Sequence, residues 1–216
     1  VAPMVGAGVP RRLAYADPPY PGRARRYYGD HPDYAGEVDH AELVASLSAD
    51  YDAWALSTAA DALQDVLAVC PPGVRVAAWH RGARPHRSAT GPINAWEPVI
   101  YGGQFRRAHQ VDASALAMRD ASGRSSATRR GEQLDPSRGS SRRVDSFVFA
   151  PAARTTDPDR VIGAKPAAFW GWVFDLLGAT PIDSFTDVFP ASGAGTRAWD
   201  VWCGNASRLA AVGSDA

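Results

Sequence analysis

Apolar positions along the chain change their period several times, and each change marks an element. Leu13–Ala16 is a short apolar run that ends in Asp17-Pro18-Pro19-Tyr20. Two consecutive prolines cannot continue a central strand or enter a helix interior, so the run reads as a buried strand stopping at Asp17. A loop rich in Pro, Gly, Tyr and Arg follows, from Pro21 to Glu37. Asp39–Ala49 then places Leu43, Val44 and Leu47 on one helical face. Tyr51–Thr58 reads as a second buried strand. Ala59–Cys70 returns to helical spacing at Leu63, Val66 and Leu67 before Pro71-Pro72-Gly73 ends it. Val74–Arg81 and Glu97–Gly103 read as further strands, the latter beginning at or after Pro98.

Beyond this point the pattern lapses and then resumes. Gln104–Arg143 is rich in Arg, Ser, Gly and Ala with few large apolar residues, which predicts a mobile insertion. Strand character returns at Asp145–Pro151. Lys165–Gly178 predicts a helix ended by glycine, and Asp183–Gly195 a strand running into a loop of small residues. Thr196–Ala211 predicts a helix with a break at Gly204, and the last residues, from Val212, the stump of another strand. Strands alternating with helices indicate an α/β sheet covered on both faces.

Composition narrows the function classes only a little. At 216 residues the chain can bury a sizeable core, and Lys+Arg and Asp+Glu are both 23, so overall charge favours no partner. Gln104–Arg143 is the one locally basic region. The basic residues are almost all arginine, and Lys165 is the sole lysine. Cys70 and Cys203 stand far apart with no C-x-x-C pair, and His31, His40, His80, His86 and His109 lack metal-ligand spacing, so no metal is expected. No apolar run approaches the ~18 residues that span a membrane. Val1–Pro10 is too short and lacks the basic segment of a signal peptide, so a cytoplasmic protein is expected.

Three stretches carry candidate chemistry. Asp17-Pro18-Pro19-Tyr20 presents a carboxylate and a phenol at a strand end. Lys165-Pro166 opens a helix. Asp187-Val188-Phe189-Pro190-Ala191-Ser192-Gly193 leads a strand through small residues into a helix. Such a loop lets backbone amides approach a ligand, and the helix start favours electronegative groups. It is not a P-loop, because no G-K-[ST] follows. The aromatic set Phe169, Trp170, Trp172 and Phe174 reads as helix core rather than a stacking platform.

In this order the three stretches resemble the amino-group DNA methyltransferases. The match is to the permuted subgroup, with the catalytic segment first and the cofactor loop last. Trp96–Gly103 is similar to a late strand of that family in which Glu follows an aromatic residue or His. The resemblance runs from Leu13 to Asp215, apart from Gln104–Arg143. It implies a Rossmann-like S-adenosylmethionine-dependent methyltransferase sheet. Residues 11–103 would be the catalytic half, 104–143 an insertion where the family places its target-recognition region, and 144–216 the cofactor half.

The implied activity is transfer of a methyl group from S-adenosylmethionine to adenine N6 in DNA, since D-P-P-Y favours adenine. RNA adenine, cytosine N4, and an inactive nucleic-acid-binding relative are the alternatives. The resemblance assigns Asp17 and the Pro18 carbonyl to the target amine, with Pro19 stiffening the segment. Tyr20 would stack on a flipped base. Asp17, Lys165, Asp187, Phe189, Ser192, Gly193 and Asp215 would meet the cofactor, Lys165 near its carboxylate and Asp215 at its ribose. Arg23, Arg25, Arg26, Arg129, Arg130, Arg142 and Arg143 are candidate phosphate contacts. DNA is the implied partner, a homodimer is allowed, and the setting would be bacterial or phage-encoded. Ala191 departs from the family pattern, which has glycine there. The sequence ends where further strands of the cofactor half would follow, which implies a shorter sheet or one completed by a partner.

Overall fold

The computed structural model describes residues 9–25, 29, 36–82, 92–104, 143–150, 164–191 and 193–213, with 205–213 described as backbone. Strand β1 (Arg12–Ala16) is followed by α1 (His40–Asp50), β2 (Ala53–Ser57), α2 (Leu63–Ala68), β3 (Arg75–His80) and β4 (Trp96–Gly103). Then come β5 (Ser146–Val148), α3 (Ala167–Leu177), β6 (Ser184–Asp187) and α4 (Ala194–Gly213). The strands form one six-stranded mixed sheet in the order β5-β3-β4-β2-β1-β6. β1 pairs in parallel with both β2 and β6, while β4 runs antiparallel to β2 and β3.

Side-chain alternation explains why the sheet needs helices on both faces. Leu13 and Tyr15 of β1, with Ala53 and Ala55 of β2, join Phe169, Trp170, Val173, Phe174 and Leu177 of α3 in one buried cluster. Ala14, Ala16, Trp54 and Leu56 point the other way, against Val44 and Leu47 of α1 and Val66 of α2. The α3 aromatics are core, as their spacing predicts. Tyr15 meets Phe169 and Trp170 edge-on at 5.6 and 4.9 Å.

Three boundaries differ from expectation. Helix α2 starts only at Leu63, because Ala59–Ala62 forms a turn closed by the Ala62 N–H on the Ala59 carbonyl. Helix α4 passes through Gly204 without a break and takes in Val212 and Gly213, so these are not strand. Strand β4 begins at Trp96 and carries Pro98 within the sheet. Proline is tolerated there because its missing N–H faces Thr58, one residue past the end of β2, and its carbonyl still accepts from the Thr58 N–H at 3.1 Å. The predicted insertion lies, but for its end residues, outside the described residues.

The first strand is tied to the C-terminal half at its beginning. The buried Arg11 guanidinium donates to the Gln104 carbonyl at 2.8 Å and to the Leu177 and Gly178 carbonyls at the end of α3. It also lies 3.6 Å from Asp183, which accepts the Arg11 backbone N–H at 2.8 Å and the Thr180 N–H and hydroxyl. Removing one member of a buried charge pair leaves the other uncompensated. Arg11→Ala is therefore expected to lower the unfolding free energy by about 3 kcal/mol or more. Arg12→Ala, at an exposed neighbour, should change it by less than about 0.5 kcal/mol. Urea denaturation of the two variants checks the contrast.

Candidate functional site

Adjacent parallel strands reached from opposite ends of a sequence leave a crevice at their carboxyl ends, where open α/β sheets bind ligands. The chain leaves β1 toward β2 and returns at its other side as β6, so the β1/β6 boundary is that point. Asp17 follows the last residue of β1, and Asp187 is the last residue of β6. The Val188 N–H continues the pairing onto the Tyr15 carbonyl at 2.9 Å.

The segment after β1 turns at once. The Arg23 N–H returns to the Tyr20 carbonyl at 2.9 Å, with Pro21 and Gly22 at the corners and Gly22 at φ 71°. This is the proline-then-glycine signature of a type II turn. It holds Asp17 and Tyr20 on the same edge of the sheet.

A buried ammonium organises that edge. Lys165, just ahead of α3, places Nζ 2.5 Å from Glu97 Oε1 and 3.2 Å from Asp17 Oδ2. The ring centroids of Trp79 and Phe169 lie 5.5 and 5.6 Å from the same nitrogen. Arg81 approaches the other Glu97 oxygen at 3.9 Å. The Lys165 and Glu97 side chains are 6% and 5% exposed, whereas Asp17 keeps 26% of its side chain open. Asp17 is thus the member of the group that a ligand can reach.

The titration of these groups follows from their burial. Burial pushes the Asp17 carboxyl up to about 6, against the opposing pull of Lys165 and with a further push from Glu97. Burial alone would lower the Lys165 ammonium, but Asp17, Tyr15 and Glu97 outweigh it and hold it well above its ordinary value. The Tyr20 phenol is raised, chiefly by burial, with Lys165 opposing.

Asp187 closes the other side of the crevice. Burial raises its carboxyl, and the backbone N–H groups of Phe189 and Gly195 partly offset this. Its Oδ1 is buried with no hydrogen-bond partner among the described residues. Gly195 permits this approach of strand end and helix start. A Cβ at 195 would stand 2.3 Å from Asp187 Oδ2 and 2.7 Å from the Trp170 ring. Ala191 occupies the left-handed region at φ 37°, which glycine adopts without penalty.

The sequence candidates fall into distinct groups. Asp17, Pro18, Pro19, Tyr20, Lys165 and Asp187 are gathered at the carboxyl edge, and Gly193 lies just before α4 at φ 68°. Phe189 packs with the cluster under α1 and α2. Arg23 is ion-paired with the exposed Asp61, and Arg25 is exposed. The Arg143 guanidinium lies over Gly178, beside Asp175. Ser192, Asp215, Arg26, Arg129, Arg130 and Arg142 lie outside the described residues. Glu97 was not among the sequence candidates. Its signal was an acid inside an otherwise apolar strand, a residue type seldom buried unless paired. Among the described residues no group of His, Cys, Asp and Glu could hold a metal, and no helix is long and apolar enough to cross a membrane. Neither a protein-family model nor a curated protein matches the sequence.

Two substitutions test this loop. Ala191→Gly should raise stability, or leave it unchanged, by up to about 1 kcal/mol as left-handed strain is relieved against a looser unfolded chain. Gly195→Ala should destabilise by about 1–3 kcal/mol, because the added methyl has neither Asp187 nor the Trp170 ring to displace cheaply. Denaturant titration of both variants reads the opposite signs.

Proposed function

We propose that this chain is an S-adenosylmethionine-dependent methyltransferase acting on the exocyclic N6 amino group of adenine in DNA. One observation carries the reading. Asp17-Pro18-Pro19-Tyr20 and Asp187, distant in sequence, stand side by side at the switch point of the sheet. The order of motifs in the sequence supports it as well.

The residues present suit the cofactor. S-adenosylmethionine carries a sulfonium, an ammonium and ribose hydroxyls, all of which seek acceptors or negative charge. The crevice contains three carboxylates, Asp17, Glu97 and Asp187, against the Lys165 ammonium and the more distant Arg81. Among the described residues, Asp187 Oδ1 is a buried acceptor without a partner. Asp187 and the backbone around Gly193 and Gly195 would hold the cofactor, with Ser192 and Asp215 assigned to it by resemblance alone. When bound, it supplies an electrophilic methyl group.

The chain's own contribution is orientation and a proton acceptor. Lys165 engages Oδ2 of Asp17, which leaves Oδ1 for the target amine. The Pro18 carbonyl accepts the second amine hydrogen. Two such bonds fix the plane of the amino group, so its nitrogen lone pair points out of the base toward the crevice. Tyr20 gives the extruded base an aromatic face. Asp17 Oδ1 takes up the proton that the amine sheds after transfer. Arg25, Arg129, Arg130 and Arg142 would meet phosphates.

Asp17→Ala should reduce methyl transfer by about 100-fold or more, since the lost bonds act on the reacting group. Affinity for S-adenosylmethionine, read by calorimetry, should change little. Wild-type transfer should rise with pH through about 6, because Asp17 accepts only when ionised. Incubation with labelled cofactor and unmethylated genomic DNA, followed by nucleoside analysis, checks both. Label in N6-methyladenine supports the reading, while label confined to N4-methylcytosine or to an RNA substrate redirects it. No cofactor binding at all would sink it.

A further inference from the structure

A lysine buried between two acids can do no more than hold a helix onto a sheet, or it can set the state of the acid that ligands reach. The geometry distinguishes the members. Lys165 and Glu97 are closed off, Asp17 is partly open, and the Lys165 ammonium is shared between the two carboxylates and the Trp79 and Phe169 rings. Little donor capacity is left for a cofactor carboxylate, the role that the sequence resemblance implies for this lysine. We propose that Lys165 and Glu97 are positioning residues for Asp17: Lys165 fixes Oδ2 and keeps the carboxylate ionised, and Glu97 fixes Lys165. This rests on the methyltransferase reading of Asp17.

The groups that face the pair are Tyr15 on β1, Asp17 and Tyr20 beyond it, Glu97 on β4, Arg81 beyond β3 and Asp187 on β6. Within this set the two positioning residues act on Asp17 with opposite sign. Lys165 lowers the pH at which Asp17 ionises and Glu97 raises it. Gln at 97 keeps an oxygen that accepts from Lys165, so Glu97→Gln removes the charge and leaves the contact in place. A pair that only held α3 to the sheet, without acting on Asp17, would leave the Asp17 titration and the acid limb of the rate unmoved.

The test compares full-length wild type, Lys165→Met, Lys165→Arg and Glu97→Gln. The carboxyl of Asp17 is titrated by carbon-13 NMR, its signal assigned with Asp17→Asn. Rates of methyl transfer to unmethylated genomic DNA are measured across the same pH range. In Lys165→Met the Asp17 titration and the acid limb of the rate should move up by about one pH unit or more. The rate near pH 6.5 should fall by about threefold or more and recover in alkali. In Glu97→Gln both should move down. Lys165→Arg keeps the charge and should restore most of the wild-type profile. Shifts of one sign in both variants, or unmoved titrations, overturn the proposal. Should Lys165→Met fail to fold, the near-isosteric Glu97→Gln decides by the direction of its shift alone. If wild type transfers no methyl group while the opposite titration shifts persist, the methyltransferase reading falls and the electrostatic clamp stands.

Discussion

One ammonium between two carboxylates sets the shape of the carboxyl edge of this sheet. Each of the three charges would be costly to bury alone, and removing the ammonium leaves both acids uncompensated. They become tolerable only when three separate stretches of chain arrive together: the end of β1, the start of β4 and the segment that leads into α3. The antiparallel course of β4 is what permits this. A parallel strand in that place would carry Glu97 to the opposite edge. Because β4 runs against β2, its first residues lie where β1 ends.

The opposite edge is secured by a different device. Arg11 gathers carbonyls from the end of β4 and the end of α3, and Asp183 joins the starts of β1 and β6. β1 is therefore anchored at both ends to elements from the second half of the chain. Its middle is sealed by apolar contacts on either face. A strand fixed in this way can present Asp17 with little freedom of position, which is what orientation-based chemistry requires.

Much of this was legible in the sequence because the relevant signals are local. Period-two runs and proline punctuation locate β1 and its stop, and helical spacing locates α1 and α3. The crevice itself was accessible only through the resemblance, since no local signal says that β6 pairs with β1. Lys165 stood out by being the sole lysine, but its partners come from residues 68 and 148 positions away, a separation that no periodicity records. Glu97 was hidden for the same reason: its burial is paid for by a distant cation. The start of α2 and the continuity of α4 differ from expectation where small residues carry weak propensity. Ala59–Ala62 could turn or coil, and Gly204 sits in the helix with nothing within 4 Å of where its side chain would be.

Pro98 has a mechanical consequence for the same edge. Between Thr58 and Pro98 the rung is one-way: Thr58 donates and Pro98 has nothing to give back. The zipper between β2 and β4 thus runs out of teeth at the residue next to Glu97. Glu97, the acid that holds Lys165, therefore stands where β4 is still laddered to β3 but one residue past its last bond to the β2 side.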